Sequence, residues 1–518
     1  MQSRRDQVQA HLFVMSRLAS GMLRAEPDAP DSPTGRTTRG AVTGLAVAVL
    51  IGLGVTVYGV IKPGGDSGWE KPGTLLVVEE SGARYLSIGG QLHPVLNDTS
   101  AKLLAGDQLT VRSVSRDSIA DAPRGLPVGI AGAPDGLPPA GDLGGGTWLV
   151  CGTVQPGPTG APAPRLALQV DPAGEGRALG PGQGLLVALP DGSVHLLWQG
   201  QRLRVDTANG ALQALGYGGA TPFPVPAGVL NALPAGPDLA APAVPGRGDP
   251  GPALAGKPTR IGQLFDASGG ARYVLTREGL APLTATQYGL LLGDRRTQRE
   301  AYGSAAPAPV AIGAEDLAAH SAPGAAPGGG LPQAPPQLVT PLRGEGVCAD
   351  VHAGAASPTT AVTVLPAAVA DVGRAPAPAA PGACAVADRI AVRPGRGALV
   401  RVLSGAGGGG TQYLVTEGGV RYALPSAAVV KQLGYAGVTP AAVPAAVVAL
   451  LPAGPSLDPA ALADVPAVSA SAVSATAASA GAPVAGAPAA GVPVAGAPTV
   501  AAVGPGAQAT SPAPSACD

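Results

Sequence analysis

Aromatic residues make up only 3% of this 518-residue sequence, with three Trp, nine Tyr and three Phe. So few large side chains exclude one continuous core over the whole length, because such side chains dominate the energetics of cores. Charge is also sparse, at 13%, and nearly balanced, with 33 basic residues against 34 acidic ones. A net charge of −1 excludes the basic footprint of a nucleic-acid binder or of a polybasic lipid-surface protein. The histidines (His11, His93, His195, His320, His352) stand singly and no CxxC occurs, so zinc-ligand spacing is absent from the sequence. Glycine and proline are plentiful, at 78 and 57 residues. That load is typical of low-complexity sequence, and it implies small domains separated by irregular chain. The 46% hydrophobic content is mostly Ala and Val, much of it in linkers that need bury nothing.

Residues 41–61, AVTGLAVAVLIGLGVTVYGVI, carry no charge and follow Arg36 and Arg39. As a helix the segment spans roughly 31 Å, enough to cross a bilayer. A signal peptide would have a shorter apolar stretch behind a short basic start and a small-residue cleavage site after it, where Lys62-Pro63-Gly64 stands. A retained single-pass anchor is therefore expected. Arg4, Arg5, Arg17, Arg24, Arg36 and Arg39 precede the span, whereas Lys62 and Lys71 follow it closely. This bias puts the N-terminus inside and residues 62–518 outside. The inner segment 1–40 carries an amphipathic helix over 3–24, with Val8, Leu12, Met15, Ala19 and Met22 on one stripe that must be covered by headgroups or another protein.

Beyond the span the chain repeats itself. LGYGGATPFPVPAGVLNALPAGPDL (215–239) recurs as LGYAGVTPAAVPAAVVALLPAGPSL (433–457), identical at 16 of 25 positions. A weaker pair joins SGARYLSIGGQLHPVL from Ser81 to GGARYVLTREGLAPLT from Gly269. Each unit has the plan of strand, glycine turn, strand, then short helix. A hairpin and one helix cannot stand alone, so strands elsewhere must form a core for them to pack on. The predicted fold is α+β and strand-rich, with four small hairpin/helix repeats and a central β core. Its divisions are repeat 1 over 72–107, the first core segment over 108–175, repeat 2 over 180–245 and repeat 3 over 255–300. The second core segment over 301–392, repeat 4 over 393–464 and a disordered Ala/Pro/Gly/Ser/Val tail over 465–518 complete it.

Four cysteines allow three pairings, and a bond between Cys151 and Cys348 is expected because both lie on strand-like runs of the two core segments. The partners of Cys384 and Cys517 stay open. One stretch satisfies a portion of a phosphate-binding loop: Gly251, Gly256 and Lys257 make a GxxxxGK. Pro258 takes the place of the magnesium-binding Ser/Thr, and a strand follows where a helix N-terminus should donate amides. Gly65-Asp66-Ser67-Gly68 matches a protease nucleophile tetrad, but no histidine is placed to serve it. No catalytic residue, metal or cofactor is assigned.

The sequence resembles the EccB family, the single-pass membrane component of the type VII (ESX) secretion systems of actinobacteria. The likeness rests on Arg5-Asp-Gln-Val-Gln-Ala-His11 through Met15, the anchor near residue 50, Gly132-Ala-Pro-Asp135, Trp148 and Cys151. It continues through Cys348, Leu433-Gly-Tyr435, Val443-Pro444 and Leu451 to Pro455. Leu12 departs from the basic residue that often follows the histidine, and Ala/Pro/Gly insertions lengthen the second half. The resemblance implies a structural subunit whose partners are the motor ATPase EccC, EccD and EccE, with the mycosin protease nearby outside. Family members are also labelled ATPases, which makes an ATP-hydrolysing component the alternative, and a wall-binding anchor a third reading.

Overall fold

A computed structural model describes residues 4–24, 33–61, 71–157, 160–174, 176–323, 329–376, 386–403 and 410–463. The Gly65–Gly68 tetrad, Cys384, Cys517 and the tail 465–518 lie outside them. The chain forms two compact units, one of Met1–Leu92 with Thr110–Gly125 and one of His93–Leu109 with Leu126–Asp518.

In the first unit, helix α1 (Arg4–Arg24) leaves Val8, Leu12, Phe13, Met15 and Leu18 exposed. Helix α2 (Pro33–Ile61) contains a stretch, Thr37–Tyr58, with a mean hydropathy of 2.2 and no buried portion. It is long and apolar enough to cross a membrane, and a helix satisfies its own backbone where lipid offers no partner. The same unit holds a small sheet from strands β1 (Thr74–Val78), β2 (Arg84–Ile88), β3 (Gln91–Pro94) and β4 (Thr110–Val114), ordered β3-β2-β1-β4. The first three make an antiparallel meander, and β4 joins β1 in parallel. β4 comes from the stretch expected to feed the central core. It instead completes the small sheet, because burial of Val114 with Leu76, Val78 and Ile119 gives its apolar face a partner there.

Along the second unit, helix α3 (Asp98–Ala105) is followed by strands β5 (Thr147–Pro156), β6 (Pro162–Val170) and β7 (Arg177–Ala178). Next come β8 (Gln183–Ala188), β9 (Val194–Trp198), β10 (Gln201–Arg204), α4 (Ala211–Ala214), β11 (Phe223–Pro224) and α5 (Ala227–Asn231). A hairpin, β12 (Pro250–Leu254) and β13 (Lys257–Arg260), leads to β14 (Leu264–Ala267), β15 (Arg272–Thr276) and β16 (Gly279–Leu283). Helices α6 (Ala285–Gly293) and α7 (Arg295–Ala301), strand β17 (Val310–Ile312), helix α8 (Ala314–His320) and strand β18 (Gln337–Leu338) follow. The last stretch has β19 (Glu345–His352), β20 (Thr359–Pro366), α9 (Ala367–Ala370), β21 (Arg389–Val392) and β22 (Ala398–Leu403). It ends with β23 (Gln412–Val415), β24 (Arg421–Leu424), α10 (Ala427–Gln432), β25 (Ala441–Pro444), α11 (Ala445–Val448) and α12 (Ala460–Ala463).

Three further sheets repeat the order of the first: β10-β9-β8-β11, β16-β15-β14-β17 and β24-β23-β22-β25. Each is a meander closed by a parallel strand, and in the sheet of β8 a second parallel strand, β18, also pairs with β8. The second unit also holds a six-stranded sheet ordered β21-β6-β5-β19-β20-β7. This order is pseudo-symmetric about the β5–β19 pair, and each edge strand lies beside the flanking strand of the other half. Side chains alternate across the sheet. On one face Trp148, Val150, Leu168, Val347, Ala349 and Val364 pack with Val229 of α5 and Val447 of α11. On the other, Leu149, Cys151, Cys348 and Leu365 are covered by Ala370 of α9.

Small helices couple the repeats: α4 packs on α6, and α3 on α10. Gly289 and Gly293 set the first contact, since a Cβ added at Gly293 would stand 2.4 Å from the Ala214 Cβ. Only hydrogen at that position lets the two short helices approach so closely.

Candidate functional site

Three groups of residues could carry function: the partial phosphate-loop stretch, the ionised cluster between the second and third repeats, and the core cysteines. The first fails on geometry. Gly251 and Lys257 lie on opposite strands of the β12–β13 hairpin, with Gly251 opposite Thr259 and Leu254 opposite Lys257, and Gly256 in its turn at φ 71°. A phosphate loop needs consecutive amides converging on a helix N-terminus, and here the chain turns back as a strand. Gly251 does line a cleft of about 380 Å³, but Asp249 and Glu278 line it too, and Arg277 is tied to Asp249 at 2.8 Å. Carboxylates at that mouth repel phosphate. The expected outcome is that Lys257→Ala leaves any phosphate release by the purified protein unchanged, measured against the unaltered chain with ATP and magnesium.

The second group is structural in its chemistry. Asp294, 1% exposed, caps α7 by accepting from the Thr297 amide and hydroxyl, both at 2.9 Å. Arg247 Nη1 donates to its Oδ2 at 2.7 Å, and Arg296 approaches Oδ1 at 3.3 Å and Asp206 of the second repeat at 3.6 Å. Burial by itself raises the Asp294 pKa, but the Thr297 hydrogen bonds and the Arg296 and Arg247 charges outweigh it, so the carboxyl titrates below its ordinary range. A carboxylate held ionised in this way joins elements; a general acid needs the opposite shift.

Cys151 and Cys348 are register partners on β5 and β19, fully buried, and bonded to one another. Next along the same strand pair, Thr147 Oγ1 lies 3.1 Å from His352 Nδ1, and His352 Nε2 lies 3.4 Å from Asp350 Oδ1. This hydroxyl, imidazole and carboxylate meet because Thr147 is opposite His352 and Asp350 is two residues away on the same face. The imidazole is half exposed and its contact to Asp350 is longer than a hydrogen bond, so it is not oriented as a base. Among the described residues no group of three His, Cys, Asp or Glu side chains could hold a metal ion.

Sequence reasoning takes the two Leu-Gly-Tyr triplets as part of the recurrence but gives their third residues, Tyr217 and Tyr435, no role of their own. Both are buried and both donate to a proline carbonyl of a distant segment, Pro336 at 2.7 Å and Pro138 at 2.8 Å. The signal was present in the recurrence itself, since a tyrosine kept at both copies needs a partner for its hydroxyl.

Taken together, one membrane-length helix among the described residues, a six-stranded sheet closed by a disulfide, and small sheets held by ion pairs and buried tyrosines define a membrane-anchored scaffold protein. The family described as "Type VII secretion system ESX-1, transport TM domain B" matches residues 1–494, and the chain belongs to that family, EccB. It is a structural membrane subunit of type VII secretion. It is similar to the "ESX-3 secretion system ATPase EccB3" of Mycolicibacterium smegmatis, 31% identical over 481 residues that cover 88% of this chain and 89% of that protein. It is 33% identical to the "ESX-2 secretion system ATPase EccB2" of Mycobacterium tuberculosis over 59% of this chain and 61% of that one. Among solved structures, a chain of an intact ESX-5 inner membrane complex aligns with a TM-score of 0.62 and 26% identity, covering 89% of this chain and 95% of that one. A chain of an EccB3 dimer from the ESX-3 core complex aligns with a TM-score of 0.59 and 30% identity, covering 75% and 99%.

Proposed function

We propose that this chain is a non-catalytic scaffold of a type VII secretion complex, with residues 1–40 inside, 41–61 in the cytoplasmic membrane and 62–518 outside. It works as one copy among several, beside the motor ATPase EccC and the components EccD and EccE, with the mycosin protease close by outside. The observation that carries this reading is the likeness, over 89% of the chain, to a subunit of an intact ESX-5 inner membrane complex. The EccB3 dimer supports assembly as an oligomer. The orientation is supported by the excess of arginine before the span. The division into a core and four repeats is supported by four like-ordered sheets and one six-stranded sheet of different order. The relatives' names include ATPase, yet the one stretch with a fragment of a nucleotide motif is a hairpin.

Mild detergent extraction followed by a native gel and mass spectrometry tests the assembly. One large species containing this chain together with an ATPase of the secretion system is expected. Recovery of free monomer alone would sink the reading. Protease added to intact cells should cut beyond residue 61, and protection there would reverse the orientation.

A further inference from the structure

Two proline-rich stretches that look like connectors occupy equivalent places in the two halves of the chain. In residues 130–143, the Ile130 carbonyl accepts from Asn97 Nδ2 at 2.8 Å and the Pro134 carbonyl from Thr99 Oγ1, so the first turn of α3 holds one end. The middle is held by Tyr435, just past α10, whose hydroxyl donates to the Pro138 carbonyl at 2.8 Å. The far end lies in parallel against the start of β22 through Leu143 and Gly397, and it then runs into β5. In residues 331–339, the Gln333 carbonyl accepts from the Ala285 amide at 3.0 Å, so the first turn of α6 holds one end. Tyr217, just past α4, donates to the Pro336 carbonyl at 2.7 Å. The far end pairs in parallel with β8 and runs into β19.

Each strap therefore touches both members of one helix pair, α3 with α10 or α6 with α4. Proline supplies extended backbone in advance and removes the amides that would otherwise demand partners. The buried carbonyl is then the group left to satisfy, and a tyrosine hydroxyl satisfies it. Burial pushes the Tyr217 phenol up to about 12, and that of Tyr435 upward as well, so both remain donors at neutral pH. Where the straps end, β5 and β19 are joined by the Cys151–Cys348 bond.

We propose that residues 130–143 and 331–339 are two tyrosine-latched straps, each fixing one helix pair and each able to release without loosening the other. The disulfide-joined central strands separate them, so one helix pair can yield while the sheet and the other strap stay closed.

Hydrogen exchange read by mass spectrometry on the full chain in detergent tests this. Tyr435→Phe should speed exchange in α3 and residues 140–143 and 397 by about tenfold or more, while 331–339 and α6 stay within about twofold of the unaltered chain. Tyr217→Phe should do the reverse. Thr99→Val loosens the first strap from its other end, so it should affect the same peptides as Tyr435→Phe. The pair combined should exchange no faster than the more severe single variant. Equal acceleration at both straps, or none at either, overturns the proposal. So does failure of both Tyr435→Phe and Thr99→Val to fold, because a releasable strap leaves the remaining fold standing.

Discussion

Replacing both core cysteines, Cys151→Ala with Cys348→Ala, lowers the thermal midpoint by up to roughly 10 °C. The bond closes a loop with a sequence separation of 197. Loop entropy assigns a cross-link of that span about 5 kcal/mol, an upper value because the reduced chain is already partly compact. For a domain of roughly 150–250 residues about 1 kcal/mol moves the midpoint by roughly 2–4 °C, and for a larger one by about 2 °C or less. The bond also sets register, since Cys348 faces Cys151 at the centre of the pseudo-symmetric sheet and every other pair of β5 and β19 follows from that alignment. Both cysteines are fully buried under α9. Without denaturant, dithiothreitol should therefore leave the bond intact, with no alkylation mass shift, whereas in urea both thiols label. Equal midpoints for the double variant and the unaltered chain would show that the bond contributes nothing to folding.

The repeats were legible because the same residues recur wherever the fold makes the same demand. Gly82 and Gly270, which open the two Gly-Ala-Arg-Tyr copies, have φ of 66° and 81°, a conformation that favours glycine before the second strand. In the two Leu-Gly-Tyr triplets, Leu215 and Leu433 are buried. Gly216 and Gly434 end α4 and α10 in the left-handed region, and the tyrosine turns inward to its strap. The run Trp148-Leu149-Val150-Cys151, apolar at every position, likewise announced a strand buried on both faces.

What pairs with what was not legible. β18 joins β8 across about 150 residues of chain, and the straps have too few apolar side chains to show a period. Both straps fall within the predicted core segments 108–175 and 301–392 without a role of their own, because nothing local distinguishes an extended strap from a strand or from solvated coil. β4 read as core because its apolar residues suit any sheet; only burial with Leu76 and Val78 places it in the first one. The ion cluster around Asp294 was invisible for a similar reason. Its arginine, Arg247, is contributed by a segment 47 residues away.

That cluster gives the other large effect: Asp294→Ala should destabilise the chain by about 3–5 kcal/mol, because it strands the Arg247 guanidinium, 8% exposed, without its anion. Loss of the α7 cap adds about 1 kcal/mol. A double variant, Arg247→Met with Asp294→Ala, should recover some of the loss, since removing both charges leaves no buried ion behind. The pH dependence has a definite sign. The folded pKa of Asp294 lies below the ordinary aspartate value of 3.8, so its contribution is fully present above that value and is lost as pH falls through the folded pKa. Denaturant midpoints measured between about pH 6 and pH 2 should therefore drop at the acid end for the unaltered chain, and by less for Asp294→Asn, which cannot ionise. If both curves fall together, the acid loss arises from other carboxylates, and the Arg247–Asp294 pair is a bystander to stability.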